Sequence, residues 1–479
     1  MISLSISNGN NNNKNDDDEE AIDISRDLDG TPLDNIWIQN QIIVGKKKKE
    51  DDDTKLIGYS VPESEVIRGM MSNGCRIYLY WNKTSTLLPN SVFYKRVVMA
   101  DLHHAQCKLQ NAPHKLKRDV KSYQVETEFL SSDACQIGLR YHAGVHVPKV
   151  YAADLRPCTS SDPAEQLNSK FAMLLEDFSS QKGWTQQWLL DEESAKAALE
   201  ALAKLHAYFW NGSNFWTQHH ESTLLEGRVW ENGGYMQPAL QGYQQLEKVN
   251  MAWRTKRLPT FEKYLNPMNE FKDIDLDNIG ERLQKIAKIV GQKAHPFSSN
   301  NKNKKEFVRY RTLIHGDPKQ ANLFFRTTKN SIEVGLIDFQ WCGFGLCGTD
   351  VAHFIAAAVQ PTCISMDGTK EETLLLQHYY SHLSHELVKQ GVASSLQQVQ
   401  ESIFPRTTFQ THYETALLDI CRMVFAYAWD RWKEETQPTT ASFNRNAYNK
   451  SLPNAIWLIV RCCKFLSTME DGDTTTPTN

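Results

Sequence analysis

Two short apolar runs in the second half of the chain each end at an aspartate, and this pair constrains the fold more than any other feature. Thr312–Ile314 leads into HGDPKQAN at 315–322, and the run at 332–337 leads into DFQ at 338–340. Their composition predicts two strands that deliver carboxylates to the loops at their ends. Phosphoryl transfer from a nucleotide needs an acceptor for a hydroxyl proton and hard oxygen ligands for Mg²⁺. The spacing therefore indicates Asp317 as the base, with Asn322 and Asp338 as metal ligands. The alternative is that these aspartates only cap loops.

The charge and cysteine content exclude several other classes. Lys and Arg total 53 against 57 Asp and Glu, a net charge of −4, which argues against nucleic-acid binding through bulk charge. No run approaches the roughly 18 apolar residues of a membrane span, and the N-terminal MISLSIS lacks the features of a secretion signal. The ten cysteines include no CxxC pair, so neither a zinc site nor a disulfide framework is indicated. We therefore expect a cytoplasmic protein.

Composition divides the chain into four segments. Residues 1–25 carry an Asn run and an acidic run and are predicted to be a disordered tail. Residues 26–177 contain β-branched and aromatic runs, which predict a small, mostly antiparallel β lobe with a helix over 114–130. Residues 178–470 show helical apolar spacing and predict a larger, mainly α lobe. Residues 471–479 are predicted to be a second disordered tail. The expected class is α+β with two lobes.

The order of motifs from about Ser60 to Trp432 resembles the kinase-like phosphotransferases that include aminoglycoside phosphotransferases, choline kinases and the ecdysteroid-kinase-like group. The best match is the last group, also called CHK kinase-like. The resemblance implies a bilobal, protein-kinase-like fold, and ATP and Mg²⁺ as cofactors. The motifs that carry it are FYKR (93–96), SYQVE (122–126), LLEDF (174–178), LAKLHA (202–207), the HxDxxxxN loop, IDFQ (337–340) and GTD (348–350).

The resemblance also assigns roles to lysines and their partners. It implies that Lys95 contacts the α- and β-phosphates and that Glu126 holds Lys95 in place. A lysine within an apolar strand is costly unless it is paired, although a strand-edge lysine could also extend into solvent. Glu128 is close enough in sequence to be the partner instead. Lys319 is implied to reach the γ-phosphate, with an exposed loop lysine as the alternative, and Asp350 to brace the catalytic loop.

Two further segments are assigned to nucleotide binding. GMMSNG at 69–74 departs from the GxGxxG of protein kinases, but a tight turn there could present backbone N–H groups to phosphate oxygens or only connect two strands. The residues expected in that turn are Ser72, Asn73 and Gly74. Glu176 and Asp177 fall where the family joins its lobes and offers backbone hydrogen bonds to adenine.

Two other kinds of enzyme share a motif with this chain. A protein kinase would place an activation segment and an APE motif after Asp338, but only 12 residues separate Asp338 from Asp350 of GTD, and no APE follows. DLDGT at 27–31 spells a haloacid-dehalogenase-like nucleophile motif, yet polar residues precede it where a buried strand is required. A kinase-like protein that only binds or scaffolds is the remaining alternative. The acceptor is expected to be a small-molecule hydroxyl, and choline-like, steroid-like, sugar and amino-alcohol acceptors and the oligomeric state all remain open.

Overall fold

The structure is a computed structural model that describes most of the chain. The described residues are 25–43, 54–68, 72–83, 87–218, 225–268, 274–298, 301–302, 304–365, 370–432, 448 and 451–473. The predicted N-terminal tail therefore lies outside them except for Ser25. The last helix continues to Asp473, three residues into the predicted C-terminal tail, and 474–479 lie outside the described residues.

The strands form one antiparallel sheet in the first lobe and two short ladders in the second. The large sheet has the order β1-β3-β4-β6-β5, with β2 paired to β3, and the short ladders are β10-β7 and β8-β9. The strands are β1 Leu56–Ser60, β2 Val66–Arg68, β3 Asn73–Trp81, β4 Ser91–Val98, β5 Val150–Arg156, β6 Lys170–Glu176, β7 Thr312–Ile314, β8 Leu323–Thr327, β9 Ile332–Leu336 and β10 Gly343–Gly345.

Helices make up most of the second lobe. Three π-helical segments, Ala134–His142, Trp253–Arg257 and Val399–Ile403, lie among the α-helices of the described residues. The α-helices are α1 Asn35–Ile43, α2 His103–Asn111, α3 His114–Leu130, α4 Glu192–Tyr208, α5 Asn214–Gln218, α6 Pro238–Gln241, α7 Val249–Ala252, α8 Leu258–Leu265, α9 Ile279–Ala294, α10 Lys304–Phe307, α11 Cys347–Ala358, α12 Glu371–Lys389, α13 Leu396–Gln398, α14 Arg406–Ala426 and α15 Leu452–Asp473.

The alternation of β4 explains why the first lobe has two different faces. Val92 and Tyr94 pack with α1 in one apolar cluster, whereas Val97 packs with α3 in another. Successive side chains on a strand point to opposite faces of a sheet. Lys95 shares the parity of Val97, and the sequence thus places this lysine on the face that α3 covers.

The second lobe is built around a continuous apolar core that includes α4, α11, α12 and α14. Trp210 and Trp253 are fully buried in it, which agrees with core packing rather than a role in a binding pocket. This core fixes β7 and β9, because Leu313 and Leu336 are both buried within it. The two-lobed α+β class expected from the sequence is thereby confirmed.

DLDGT at 27–31 forms a turn and not the end of a buried strand. The Asp27 carboxylate accepts hydrogen bonds from the backbone N–H groups of Asp29 and Thr31, both at 2.9 Å. Asp34, a few residues later, accepts a hydrogen bond from the Trp37 N–H at the start of α1. The dehalogenase interpretation has no structural support here. Among the described helices, none is both long and apolar enough to cross a membrane.

Candidate active site

The loop after β7 is fixed by a glycine and a buried carboxylate. Gly316 has φ +84°, and a Cβ at this position would lie 2.2 Å from the carbonyl oxygen of Trp341, so only glycine fits. The backbone N–H groups of His315 and Gly316 donate to the Asp350 carboxylate at 2.7 and 2.9 Å. The predicted bracing role of Asp350 is confirmed by these bonds.

A histidine on α4 contacts the Asp350 carboxylate and helps to hold it in place. His206 Nε2 lies 3.1 Å from Asp350 Oδ2, and its Nδ1 lies 2.7 Å from the hydroxyl of Tyr379 on α12. Burial alone would raise the pKa of Asp350, but hydrogen bonding and charge from His206 outweigh it and lower that pKa. The loop is therefore anchored through Asp350 to two helices of the second lobe.

Asp317 is buried and bonded on both of its carboxylate oxygens. Lys319 Nζ lies 2.5 Å from Oδ2, and Asn322 Nδ2 lies 2.8 Å from the Asp317 backbone carbonyl and 3.3 Å from Oδ2. His353 Nε2 lies 3.2 Å from Oδ1. Burial would raise the pKa of Asp317, but the Lys319 charge and the His353 contact hold it well below its usual range. Asp317 is thus a carboxylate held ionised in a fixed orientation.

The contact with His353 extends to a tyrosine far away in the chain. His353 lies on α11, and its Nε2 is also 2.8 Å from the hydroxyl of Tyr448. His353 is buried and Tyr448 is partly buried beside the Asp317 loop, and burial raises the pKa of Tyr448 well above its usual value. Neither residue was predicted from the sequence.

His315 connects the two motif loops. Its Nε2 lies 2.9 Å from the Ile337 carbonyl oxygen, and its Nδ1 lies 3.3 Å from the backbone nitrogen of Asp317. These bonds are satisfied together when the proton sits on Nε2, because Nδ1 then accepts the Asp317 N–H. Burial lowers the pKa of His315, in keeping with a neutral ring. His315 thereby fixes the Asp317 backbone relative to the residue before Asp338.

Asp338 sits in an unusual backbone conformation and has a carboxylate oxygen without a bond. Its φ of +64° is the only positive φ of a non-glycine residue among the described residues. Such left-handed residues cost about 1–3 kcal/mol and cluster at functional sites. Its Oδ1 is buried and accepts no hydrogen bond from the described part of the chain, and Lys95 Nζ lies 3.8 Å away.

Lys95 is paired with Glu126 and not with Glu128. Its Nζ lies 2.8 Å from Oε1 and 2.7 Å from Oε2 of Glu126. Glu128 instead accepts a bond from Gln124 on the same helix. Burial would lower the pKa of Lys95, but Glu126 and Asp338 outweigh it and raise that pKa, so the lysine is a firmly charged cation. The structure settles the alternative left open by the sequence.

A divalent cation fits the oxygens that Asn322 and Asp338 leave available. Buried carboxylate oxygens are normally bonded, so the unbonded Oδ1 of Asp338 is suited to a ligand rather than to a structural bond. Asn322 uses its amide nitrogen on Asp317, which frees its Oδ1. Carboxylate and amide oxygens are the ligand types that Mg²⁺ takes.

The predicted tight turn at 72–74 is wrong for two of its three residues. Asn73 and Gly74 belong to β3, where Asn73 is paired with Arg68 and Arg96, and Gly74 with Ile67 and Lys95. A Cβ on Gly74 would lie 2.5 Å from the ring of Phe93, so close packing explains this glycine. Ser72 directly precedes the strand, and 69–71 lie outside the described residues. The phosphate contacts expected here stay predictions.

The side chains of Glu176 and Asp177 are both engaged within the protein. Glu176 binds Arg140 at 2.8 Å, and its N–H donates to the Lys149 carbonyl. Asp177 is buried and accepts bonds from Arg76 at 2.7 Å and from Ser91 at 2.6 Å. These carboxylates stabilise the end of β6, and the expected backbone contacts with adenine remain a prediction.

Aromatic side chains from the 211–300 segment reach the catalytic loop. The Tyr235 N–H donates to the Gly316 carbonyl at 3.1 Å. Tyr235 and Trp230 pack against Trp341, with ring centroids 5.1 and 5.8 Å apart, and the Arg118 guanidinium lies 5.7 Å from the Trp341 ring. This aromatic cluster, defined as Trp230, Tyr235 and Trp341, lies next to the loop that carries Asp317.

The family relationship follows from a sequence profile that covers the end of the first lobe and much of the second. The profile of the ecdysteroid kinase-like family matches residues 145–392, which is more than half of the chain. This chain belongs to the ecdysteroid kinase-like family. The matched range includes Asp317, Asn322 and Asp338, and membership in a kinase-like family supports a phosphotransferase activity in general terms.

Solved structures of small-molecule kinases are similar to this family member at low identity. A microcompartment-associated aminopropanol kinase has 12% identity and a TM-score of 0.40, over 88% of this chain and 94% of that chain. An amicoumacin kinase in complex with AMP-PNP and Ca²⁺ has 11% identity and a TM-score of 0.39, over 88% and 92%. A choline kinase from Cryptosporidium parvum has 11% identity and a TM-score of 0.35, over 87% and 90%. No curated protein matches the chain significantly.

Sequence reasoning missed the histidines around the site of this ecdysteroid kinase-like chain. His206 lies on the apolar face of α4, where its sequence neighbours gave no sign of a polar partner. His353 follows Asp350 by three residues, which is helical spacing and was a usable signal that both face the loop. Tyr448 carried no signal at all, since it lies in a polar segment far from every motif.

Proposed function

We propose that this chain transfers the γ-phosphate of ATP, with Mg²⁺, to a hydroxyl of a small molecule. One observation carries the proposal: Lys95 and the two motif loops meet at one place. Lys95 Nζ lies between Glu126 and Asp338, and His315 joins the Asp317 backbone to the residue before Asp338. Proteins catalyse phosphoryl transfer mainly by positioning the reacting groups and stabilising their charge.

The nucleotide side of the proposed site is built around Lys95. Its ammonium is charged and partly buried, and the bidentate contact with Glu126 fixes its position. A fixed cation can bind phosphate oxygens without first being ordered, so less binding free energy is lost. Lys95 would contact the α- and β-phosphates from its strand.

Asn322 and Asp338 would hold Mg²⁺. Their free oxygens come from two loops that His315 joins through hydrogen bonds. When bound there, the ion supplies positive charge that neutralises the phosphate oxygens. Lys319 interacts with both Asp317 and Asp338, which raise its pKa although its burial alone would lower it. The lysine therefore balances two carboxylates and would also reach the γ-phosphate.

Asp317 would orient the acceptor hydroxyl and take its proton. The hydroxyl oxygen forms a bond to the γ-phosphorus, the bond to the β–γ bridging oxygen breaks, and ADP leaves. Lys319, His353 and Asn322 hold the Asp317 carboxylate in one orientation, which limits the motion needed to meet the hydroxyl. The low pKa of Asp317 suits a loose transition state, in which the hydroxyl keeps its proton until late.

A small acceptor is favoured over a polypeptide by the surroundings of Asp317. The aromatic cluster and α11 close around the loop, and a narrow cavity beside Gly316 is lined by Tyr235, Met236, His295, His353 and Asp419. Asp419 is already paired with His295 at 3.1 Å and with Arg422 at 2.8 Å. The carboxylate of Asp430 is likewise bound to Lys256 and Arg257, so neither is free to bind an amine.

The test incubates the protein with Mg²⁺, ATP and a complex metabolite extract, and mass spectrometry records metabolites that gain one phosphate. Asp317→Asn keeps the shape of the side chain and should yield no product. Asp430→Asn is the matched control, because this half-exposed aspartate pairs with Lys256 and Arg257, which lie outside the two motif loops, and it should keep full activity.

The two failures of this test are distinguishable. A product that appears equally with Asp317→Asn would contradict the role of Asp317. Absence of product together with absence of Mg²⁺-dependent ATP binding would contradict the kinase proposal and support a binding or scaffold protein. ATP binding without product would call for a second extract of different polarity.

A further inference from the structure

Two helices of the second lobe bring two histidines and a glutamate together on their outer side. His378 and His382 lie on α12 four residues apart, so both imidazoles lie on one face of that helix. Glu200 faces them from α4. These three residues, called the His–Glu cluster below, belong to none of the motifs that define the candidate active site.

The geometry of the His–Glu cluster is close to that of a tetrahedral metal site. His378 Nε2 lies 3.0 Å and His382 Nε2 lies 3.4 Å from the same carboxylate oxygen, Glu200 Oε1. The three ligand atoms all lie within 4.8 Å of one another, and the two rings are 4.5 Å apart. With Zn–N and Zn–O bonds of about 2.0–2.1 Å, tetrahedral ligand atoms are about 3.3 Å apart. Small side-chain rotations would therefore complete such a site.

The ligand types select a class of metal. Two imidazole nitrogens and one carboxylate oxygen suit Zn²⁺ and its first-row neighbours, whereas Mg²⁺ and Ca²⁺ take oxygen ligands. Each side chain of the cluster is partly exposed, at 23% for His378, 42% for His382 and 38% for Glu200, so an ion can enter from solvent. The neighbouring groups that carry or can carry positive charge are Lys204 and His385, and Glu200 opposes them.

We propose that the His–Glu cluster is a binding site for Zn²⁺ or a similar divalent transition metal, which ties α12 to α4. Three protein ligands leave one coordination position for water. The site lies beside the hydrogen bonds that anchor the Asp317 loop, because Tyr379 follows His378 on α12 and bonds to His206 of α4. Its effect is to stabilise this helix pair, and it is separate from the Mg²⁺ site of the proposed kinase.

The simpler interpretation is a hydrogen-bonded staple between the helices. Neutral His378 could donate Nε2–H to Glu200, and His382 could do the same at a longer distance. A staple needs one good donor and gains nothing from metal, whereas a metal site needs all three side chains. The two interpretations therefore differ in what added Zn²⁺ does.

The experiment titrates Zn²⁺ alone into the full chain after treatment with a chelator, without ATP. Isothermal titration calorimetry gives stoichiometry and affinity, and thermal unfolding gives the shift in Tm. Cys107 is exposed and lies 3.7 Å from His103, so the titration uses a Cys107→Ser background to remove a competing thiol. We expect one equivalent to bind and Tm to rise. The Co²⁺ form should show visible bands of tetrahedral coordination without thiolate charge-transfer bands.

Three variants decide the ligands. His378→Ala and Glu200→Gln should each weaken binding at least tenfold and abolish the rise in Tm. His385→Ala is the matched control, since it removes an exposed histidine of the same helix that bonds to its own Ser381 carbonyl, and it should bind like the parent. Absence of a stoichiometric Zn²⁺ site in the parent, or unchanged binding in His378→Ala, would overturn the proposal. Because no assay uses ATP, a failure here is independent of the kinase proposal.

Discussion

The loops that carry Asp317 and Asp338 treat their carboxylates in opposite ways. The Asp317 carboxylate is bonded by Lys319, His353 and Asn322, and the backbone of its loop is hydrogen-bonded to Asp350. Asp338 has a left-handed backbone and a buried oxygen without a hydrogen bond among the described residues. A carboxylate that must meet a hydroxyl benefits from one fixed orientation, whereas a carboxylate that must take a cation has to keep a lone pair free. The difference supports the proposed roles, in which Asp317 acts on the acceptor and Asp338 holds the metal.

The largest effects are expected when each aspartate is replaced by asparagine. Asp317→Asn should lower kcat by about 10³-fold, since general base catalysis contributes roughly 10²–10⁴, while Mg²⁺–ATP affinity stays within a few-fold of the parent. Asp338→Asn should instead abolish the Mg²⁺ dependence of ATP binding. Calorimetric titration of ATP with and without Mg²⁺ checks both. Equal loss of nucleotide binding in the two variants would break the distinction.

Glu126→Gln should remove the difference between Asp317 and Asp338, because Lys95 would then pair with the Asp338 carboxylate. Without the Glu126 carboxylate, Asp338 is the one carboxylate of the described residues that is paired with Lys95, at 3.8 Å from its Nζ. Breaking one side of a buried pair costs about 3–5 kcal/mol, so we expect a lower free energy of unfolding in urea and weaker Mg²⁺ binding. Glu128→Gln is the control on the same helix and should do neither. A comparable loss in Glu128→Gln would contradict the assignment of Glu126.

Gly316→Ala tests how rigidly the Asp317 loop is built. The new Cβ would meet the Trp341 carbonyl oxygen at 2.2 Å in addition to its left-handed φ, and we expect about 3 kcal/mol of destabilisation. Gly144→Ala separates the two causes, because its φ is +68° and nothing lies within 4 Å of its Cβ. That control should cost only about 1 kcal/mol in urea denaturation. Equal costs would mean that the loop yields to the added methyl group.

The smallest effect is expected for Lys319→Met, on the pH profile. Burial raises the pKa of Asp317 and Lys319 lowers it most. Without Lys319 that pKa moves up, so activity that needs the ionised carboxylate is lost at a higher pH as the solution is acidified. The acid limb of kcat/KM against pH should therefore move to higher pH, with roughly a tenfold lower plateau. An unchanged acid limb would show that Lys319 does not set the ionisation of Asp317.

The sequence predicted those helices and strands whose positions depend on the residues within them. The helix over 114–130 has the predicted bounds, and β7 and β9 lie where the apolar runs at 312–314 and 332–337 predicted strands. The turn at 72–74 was misjudged because a glycine can mark either a turn or close packing, and Gly74 packs against Phe93. The short strands β8 and β10 were not predicted, because pairing with β9 and β7 defines them rather than a pattern of their own residues.

The site could be predicted where its residues belong to one short motif with a fixed spacing. Asp317 and Asn322 are five residues apart and contact each other, so one motif carries both. His353 contacts Asp317, and Tyr448 contacts His353, only through tertiary packing. The helical spacing of Asp350 and His353 is a local signal for the first contact, but no pattern in the sequence indicates the second. Glu126 and Glu128 are two residues apart and lie on different sides of α3, so the choice between them depends on which side of α3 faces β4.

The anchoring of the Asp317 loop on Asp350 also bears on hydrogen exchange. Loop amides usually exchange quickly, because small local openings expose them to solvent. The amides of His315 and Gly316 are instead buried and bonded to a carboxylate that His206 holds in the helical core. They can reach deuterated solvent only when that core opens, and their protection should equal that of α4 itself. A stretch without regular secondary structure would then exchange on the timescale of global unfolding.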